Sequence, residues 1–146
     1  MFKNKYDVVE TNKMAMEDVS SLIDVERRAA EELENGRLVI REEETYKYAK
    51  GGDEELFLVT TPEVTYDGGG LDEFVNHEGR LVRAVKVVLH DIYSTTAYEG
   101  ELEVGGKLVV GADGKLVAGE EGEVLFEVKG KRKLGKALGV TVERIK

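Results

Sequence analysis

The chain has 146 residues, 41% of them apolar and 35% charged, the length of one ordinary domain with a single modest core under a heavily charged surface. A formal charge of −9 argues against a general affinity for DNA or RNA, because such binding depends on cations displacing counterions from phosphates. The absence of cysteine excludes disulfides, thiolate nucleophiles and Cys-ligated zinc or iron–sulfur clusters.

Residues 1–17 mix Phe2, Tyr6, Val8, Val9, Met14 and Met16 with charges and hold no period of two or of 3.6. They are expected to form an extended N-terminal arm, either frayed or docked through Phe2 and Tyr6 onto a neighbouring subunit. The opening MFKNKYDVVETNK lacks the continuous apolar stretch of a secretory signal, and no window approaches the roughly 18 to 20 apolar residues of a membrane span. The expectation is a soluble, unexported protein with no membrane contact.

From Asp18, the stretch DVSSLIDVERRAAEELENG places Val19, Leu22, Ile23, Ala30 and Leu33 near one side of a helix, with Asp18 or Ser20 as N-cap and Asn35-Gly36 as the stop. The spacing predicts a helical segment over 18–35, although Glu31, Glu32 and Glu34 crowd the negative end of its dipole. After Gly36, RLVIREEETYKYAK and ELFLVTTPEVTY carry β-branched and aromatic residues on either side of a GGD turn. Both are expected to be strands, with Pro62 ending the second or placing its tail at a sheet edge. DGGG at 67–70 breaks the chain again, and LDEFVNHEG is expected to make one helical turn.

The second half has long β-prone runs cut by glycines every five to ten residues or so, with His90-Asp91 at a corner and a hairpin in KLVVGADGKLVAG around Ala112-Asp113-Gly114. Leu102 and Val104 alternate with Glu101 and Glu103, as Val140 and Val142 do with Thr141 and Glu143, which predicts strands with one wet and one dry face. Parallel crossovers need a dozen or more residues each, and the spacing does not supply them. The expected fold is mainly β, a small antiparallel β-barrel or sandwich with a short N-terminal helix and an extended arm. The domain division is an arm over 1–17 and a single mainly β domain over 18–146, helical over 18–35 and built of strands and hairpins over 36–146.

GKRKLGKA, from Gly130 to Ala137, falls one residue short of the phosphate-binding pattern G-x-x-x-x-G-K-[ST]. Ala137 stands where magnesium needs a hydroxyl, and the β-prone tail VTVERI leaves no helix whose N-terminus could face a phosphate. Lys129, Lys131, Arg132, Lys133 and Lys136 instead read as a basic loop in an acidic protein. It is either a solvated hairpin or, through Lys131, Arg132 and Lys133, a contact for an acidic partner surface or for an interior nucleic acid. The two histidines, His77 and His90, form no H-E-x-x-H pattern, since Leu81 occupies the second position. The acidic groups at Glu42, Glu43 and Glu44 and at Glu120-Glu121 read as solvated carboxylates. No catalytic residue, metal ligand or cofactor is expected.

Three stretches taken together, LENGRLVI at 33–40, ELFLVTTPEVTYDGGGLDEFVNHEGRLVRAV at 55–85 and HDIYSTTAY after them, resemble small head proteins of tailed bacteriophages that decorate or cement the capsid lattice. That resemblance spans roughly Leu33 to Lys146. It implies a virion structural protein on the capsid exterior, assembled in the host cytoplasm, whose partner is the major capsid protein. The chain is then expected to act by noncovalent bridging, with a homo-oligomer around local symmetry axes left open, and its acidic charge leads to no expectation of nucleic acid. A second reading of the mainly β pattern, with Tyr93, Thr95 and Thr96 in one strand, is a small ligand-binding β-barrel with the ligand inside. An enzyme working through carboxylates or histidines ranks last.

Overall fold

The computed structural model describes residues 6–16, 27–52, 55–61, 75–119 and 124–146. The chain is mainly β. Its strands are β1 (Val9–Lys13), β2 (Arg28–Ala29), β3 (Leu38–Glu42), β4 (Thr45–Tyr48), β5 (Phe57–Val59), β6 (Ala84–Lys86), β7 (Ile92–Thr95), β8 (Lys107–Val110), β9 (Leu116–Ala118), β10 (Phe126–Leu134) and β11 (Ala137–Arg144). They form a six-stranded sheet in the order β1-β7-β11-β10-β8-β9 and a five-stranded sheet in the order β2-β4-β3-β5-β6. All pairs are antiparallel except β2 with β4.

The five-stranded sheet curls until its ends meet. Arg28 of β2 bridges Leu81 just ahead of β6, and the Ala29 and Val82 amides donate to Arg80 O and Arg27 O, each at 2.9 Å. Side chains alternate across a strand, and here both faces are apolar. Val39, Tyr46, Phe57, Val59, Val82 and Ala84 pack with Ala29 and Leu33 on one side. Leu38, Leu58 and Val85 join Tyr93, Leu108, Phe126, Val128, Val140 and Val142 of the six-stranded sheet on the other. One layer of strands therefore serves two cores. Tyr46 and Phe57 rings stand 5.6 Å apart, and the Arg41 guanidinium lies 4.3 Å over Phe57, covering the inner core with a cation at aromatic contact distance.

The expected helix over 18–35 is corrected over 27–35, where the chain forms β2 and the Leu33–Asn76 bridge; residues 18–26 lie outside the described residues. The Arg28, Ala30 and Leu33 amides donate to Glu44 O, Tyr46 O and Asn76 O, while Ala29 and Leu33 are 2% and 0% exposed in the inner core. Each buried leucine contributes on the order of 2 kcal/mol, more than a helix ending in three glutamates could recover. Pro62 and DGGG also lie outside the described residues, as does the first half of LDEFVNHEG; its second half carries a turn at Glu78-Gly79.

The glycine-punctuated hairpins of the second half are present. β8 and β9 pair Val110 with Leu116 around a 3₁₀ turn at Ala112–Gly114, with φ of 54° at Asp113 and 68° at Gly114. β10 and β11 pair Leu134 with Ala137 across Gly135-Lys136, the positive φ falling on Gly135, as the first position of a two-residue type II′ turn requires. GKRKLGKA is thus strand, turn and strand. Glu101–Val104 departs from the expected alternation. No strand forms there, and Leu102 is buried while Val104 enters a turn and is 66% exposed.

Candidate functional site

Val9–Lys13 is the edge strand of the six-stranded sheet, paired with β7 in the register Val9–Thr95, Glu10–Ser94 and Thr11–Tyr93. Side chains lock it at both ends. On the N-terminal side the Arg37 Nε donates to Asp7 at 2.9 Å, the Asp7 amide donates to Glu34 at 2.7 Å, and the Thr96 hydroxyl donates to Asp7 at 2.9 Å. Arg37 also pairs with Glu34 and lies 5.2 Å over the Tyr48 ring, whose hydroxyl accepts from the Glu34 amide at 2.9 Å. On the C-terminal side the buried Asp91 carboxylate accepts from the Ala15 amide at 2.8 Å and the Val88 amide at 2.9 Å. Asp91 therefore spends both oxygens as a clamp on backbone, a structural task.

Burial sets the electrostatics of this lock. Loss of solvent pushes the Glu34 carboxyl above its usual range, more than the Asp7 amide and the Arg37 cation pull it down. Burial opposes the charge on Arg37, yet Tyr48, Glu34 and Asp7 together hold its pKa above the ordinary value. The Tyr48 phenol is pushed up to about 12, chiefly by burial.

Of the sequence-derived contact residues, Phe2 lies outside the described residues. Tyr6 is half-buried and already engaged within the chain. Lys131, Arg132 and Lys133 are exposed on β10, in the part of the β10–β11 hairpin that runs beyond its pairing with β8, which ends at Phe126 and Glu127. A bulge at Lys129 shifts the register between Val128 and Gly130, twisting the hairpin as bulges do. The structure brings Arg132 to the edge strand, where its Nη1 meets Glu10 at 2.8 Å. Lys131 and Lys133 make no ion pair among the described residues. They share the tip with Leu138, which pairs with Lys133 and is 49% exposed.

Lower on the same sheet the charges neutralise one another. Glu127 is held below its usual range by hydrogen bonds from Lys107 and Lys129, and Lys129 is held above its own by Glu127. His90 meets Glu143 at 3.2 Å and His77 faces Glu32 at 3.9 Å, so the two histidines have separate partners. No group of three or more His, Asp or Glu side chains is placed to hold a metal among the described residues.

A cleft of about 310 Å³ runs between β1 and the curled sheet, lined by Val9, Thr11, Met16, Asn35, Thr60, Thr61 and Arg83. No local pattern signals it, since its walls come from four separate stretches of chain. Asn35 and Thr61 fix one wall: the Asn35 side-chain Nδ2 donates to Thr61 O at 2.8 Å, and the Thr61 hydroxyl accepts from the Arg83 backbone amide at 3.0 Å. The curled sheet's interior, by contrast, is filled by side chains that are 0% exposed, Tyr46 and Phe57 among them. The chain matches no protein-family model, no curated protein and no solved structure.

Proposed function

We propose that the chain is a structural accessory protein of a tailed-phage head, binding the outer surface of the assembled capsid and bridging major capsid subunits without making or breaking bonds. The observation that carries this reading is the hairpin tip, where Lys131, Lys133 and Leu138 are exposed together on a strand pair anchored by buried Phe126, Val128, Val140 and Val142 in the core between the two sheets. Cations beside an exposed leucine on a rigid arm suit adhesion to an acidic surface with an apolar spot, and repetition over a lattice multiplies weak contacts. The resemblance over roughly Leu33 to Lys146 supports the same partner. A ligand held inside the curled sheet has little support, because side chains occupy that interior.

Purified chain added to expanded capsids that lack it is expected to sediment with them and to raise their resistance to heat and osmotic shock. No co-sedimentation, together with equal resistance in its absence, would remove the role.

A further inference from the structure

The cleft beside β1 has the features of a recognition site for an extended acidic peptide, and we infer that such a segment adds to the free edge of β1 with an Asp or Glu carboxylate on Arg83. This goes beyond the capsid reading and holds for any partner that offers the chemistry.

Three observations converge. First, among the described residues no strand pairs with the outer edge of β1. The Thr96 amide donates to Val8 O at 3.2 Å, and antiparallel pairs alternate between bonded and non-bonded; Val8 and Glu10 therefore face β7, which leaves the amides and carbonyls of Val9 and Thr11, two residues that line the cleft, directed away from β7 at the outer edge of the sheet. Second, the opposite wall presents a cation without a task. The Arg83 backbone is held by Thr61 and Thr60, while its guanidinium makes no hydrogen bond or ion pair among the described residues. Third, the Thr60 hydroxyl is buried at this wall without a hydrogen-bond partner among the described residues, a group that normally costs about 1–3 kcal/mol to leave unmet.

Backbone pairing along one wall, a planar cation on the other and apolar Val9 and Met16 at the rim fit a strand with a carboxylate on one face. The size fits as well: about 310 Å³ lies at the lower end of ligand-sized cavities, room for a short run of extended chain and too little for a folded surface. A nucleic-acid strand is the weaker match, since Arg83 is the one cation lining the cleft among the described residues and the chain carries a net charge of −9.

The test titrates the full chain with acetyl-Thr-Val-Asp-Val-Thr-amide, its Asn analogue, acetate and inorganic phosphate, read by heteronuclear NMR with amide exchange. The acidic peptide is expected to bind at least tenfold more tightly than the Asn analogue, to slow exchange at the Val9 and Thr11 amides, and to lose that preference in Arg83→Gln. Thr11→Pro, which removes an edge donor while leaving Arg83 in place, is expected to weaken both peptides. Equal binding of the two peptides, unchanged exchange at Val9 and Thr11, or no binding at all overturns the proposal. Acetate or phosphate binding as tightly as the peptide reduces the cleft to a small-anion site and overturns it too.

Discussion

Gly114 shows how one residue couples the two sheets. Its amide donates to Ala49 O at 3.1 Å, its φ is +68°, and a Cβ there would collide with the Leu38 carbonyl in β3. Gly52 also has a positive φ, +96°, but faces open space. Alanine at Gly52 adds only the left-handed backbone penalty, about 1 kcal/mol, whereas alanine at Gly114 must also push two backbones apart and is expected to cost about 2–3 kcal/mol. Urea denaturation of the two variants measures the difference; equal losses would show that the approach to Leu38 is not what Gly114 is there for. The turn itself was legible, because Ala112-Asp113-Gly114 sits between two alternating apolar runs. Its contact with Leu38 was not, since nothing local encodes a partner so distant in the chain.

Edge strand β1 was illegible for a related reason. Only Val9 of VETNK escapes full exposure, so the strand carries almost no alternation, and its place is fixed by side chains elsewhere: Arg37, Thr96 and Asp91. The helix expected over 18–35 failed over 27–35 because the inner core recruits Ala29 and Leu33 at a spacing that a helix face shares. Strands β8 to β11, with one wet and one dry face and glycine turns, could be read directly. Since β1 belongs to its own sheet, deleting Met1–Lys13 strips the edge from β7 and removes Asp7 from Arg37. The loss is expected to be about 2–4 kcal/mol, from several hydrogen bonds and a part-buried ion pair; an unchanged denaturation midpoint would show that the strand is only appended. The same lock carries a pH dependence. The Glu34 pKa is raised in the folded chain by burial, so its protonated form is favoured by folding. That contribution is fully present below the ordinary value of 4.5 and is lost as pH rises through the raised folded value. Relative to Glu34→Gln, which does not titrate, the natural chain is expected to lose stability across that window; thermal melts at closely spaced pH values check it, and a constant or growing advantage for the natural chain contradicts it.

Over the whole molecule, a net charge of −9 coexists with a hairpin tip bearing two cations that no acidic group of the described residues neutralises. Lys129 is answered by Glu127 and Arg132 by Glu10, which leaves Lys131 and Lys133 as the pair whose field reaches outward. The basic run was legible in GKRKLGKA; which of its members remain available was not, because pairing with Glu10 depends on how β1 joins the sheet. An acidic partner met through these two side chains makes association depend on salt, since exposed charges are screened beyond about 10 Å at 0.1 M ionic strength. Reversing both charges, Lys131→Glu with Lys133→Glu, is expected to weaken the proposed capsid binding by about tenfold or more at low salt, as two lost attractions and two new repulsions imply. The gap should close toward 1 M salt, where the Debye length shrinks to about 3 Å. Stability should stay unchanged, because neither lysine makes an ion pair among the described residues, so a drop in melting temperature would trace weaker binding to damage instead. Binding that is indifferent to the double reversal at low salt would move the contact away from the hairpin, leaving the β1 edge and its cleft as the surface to examine.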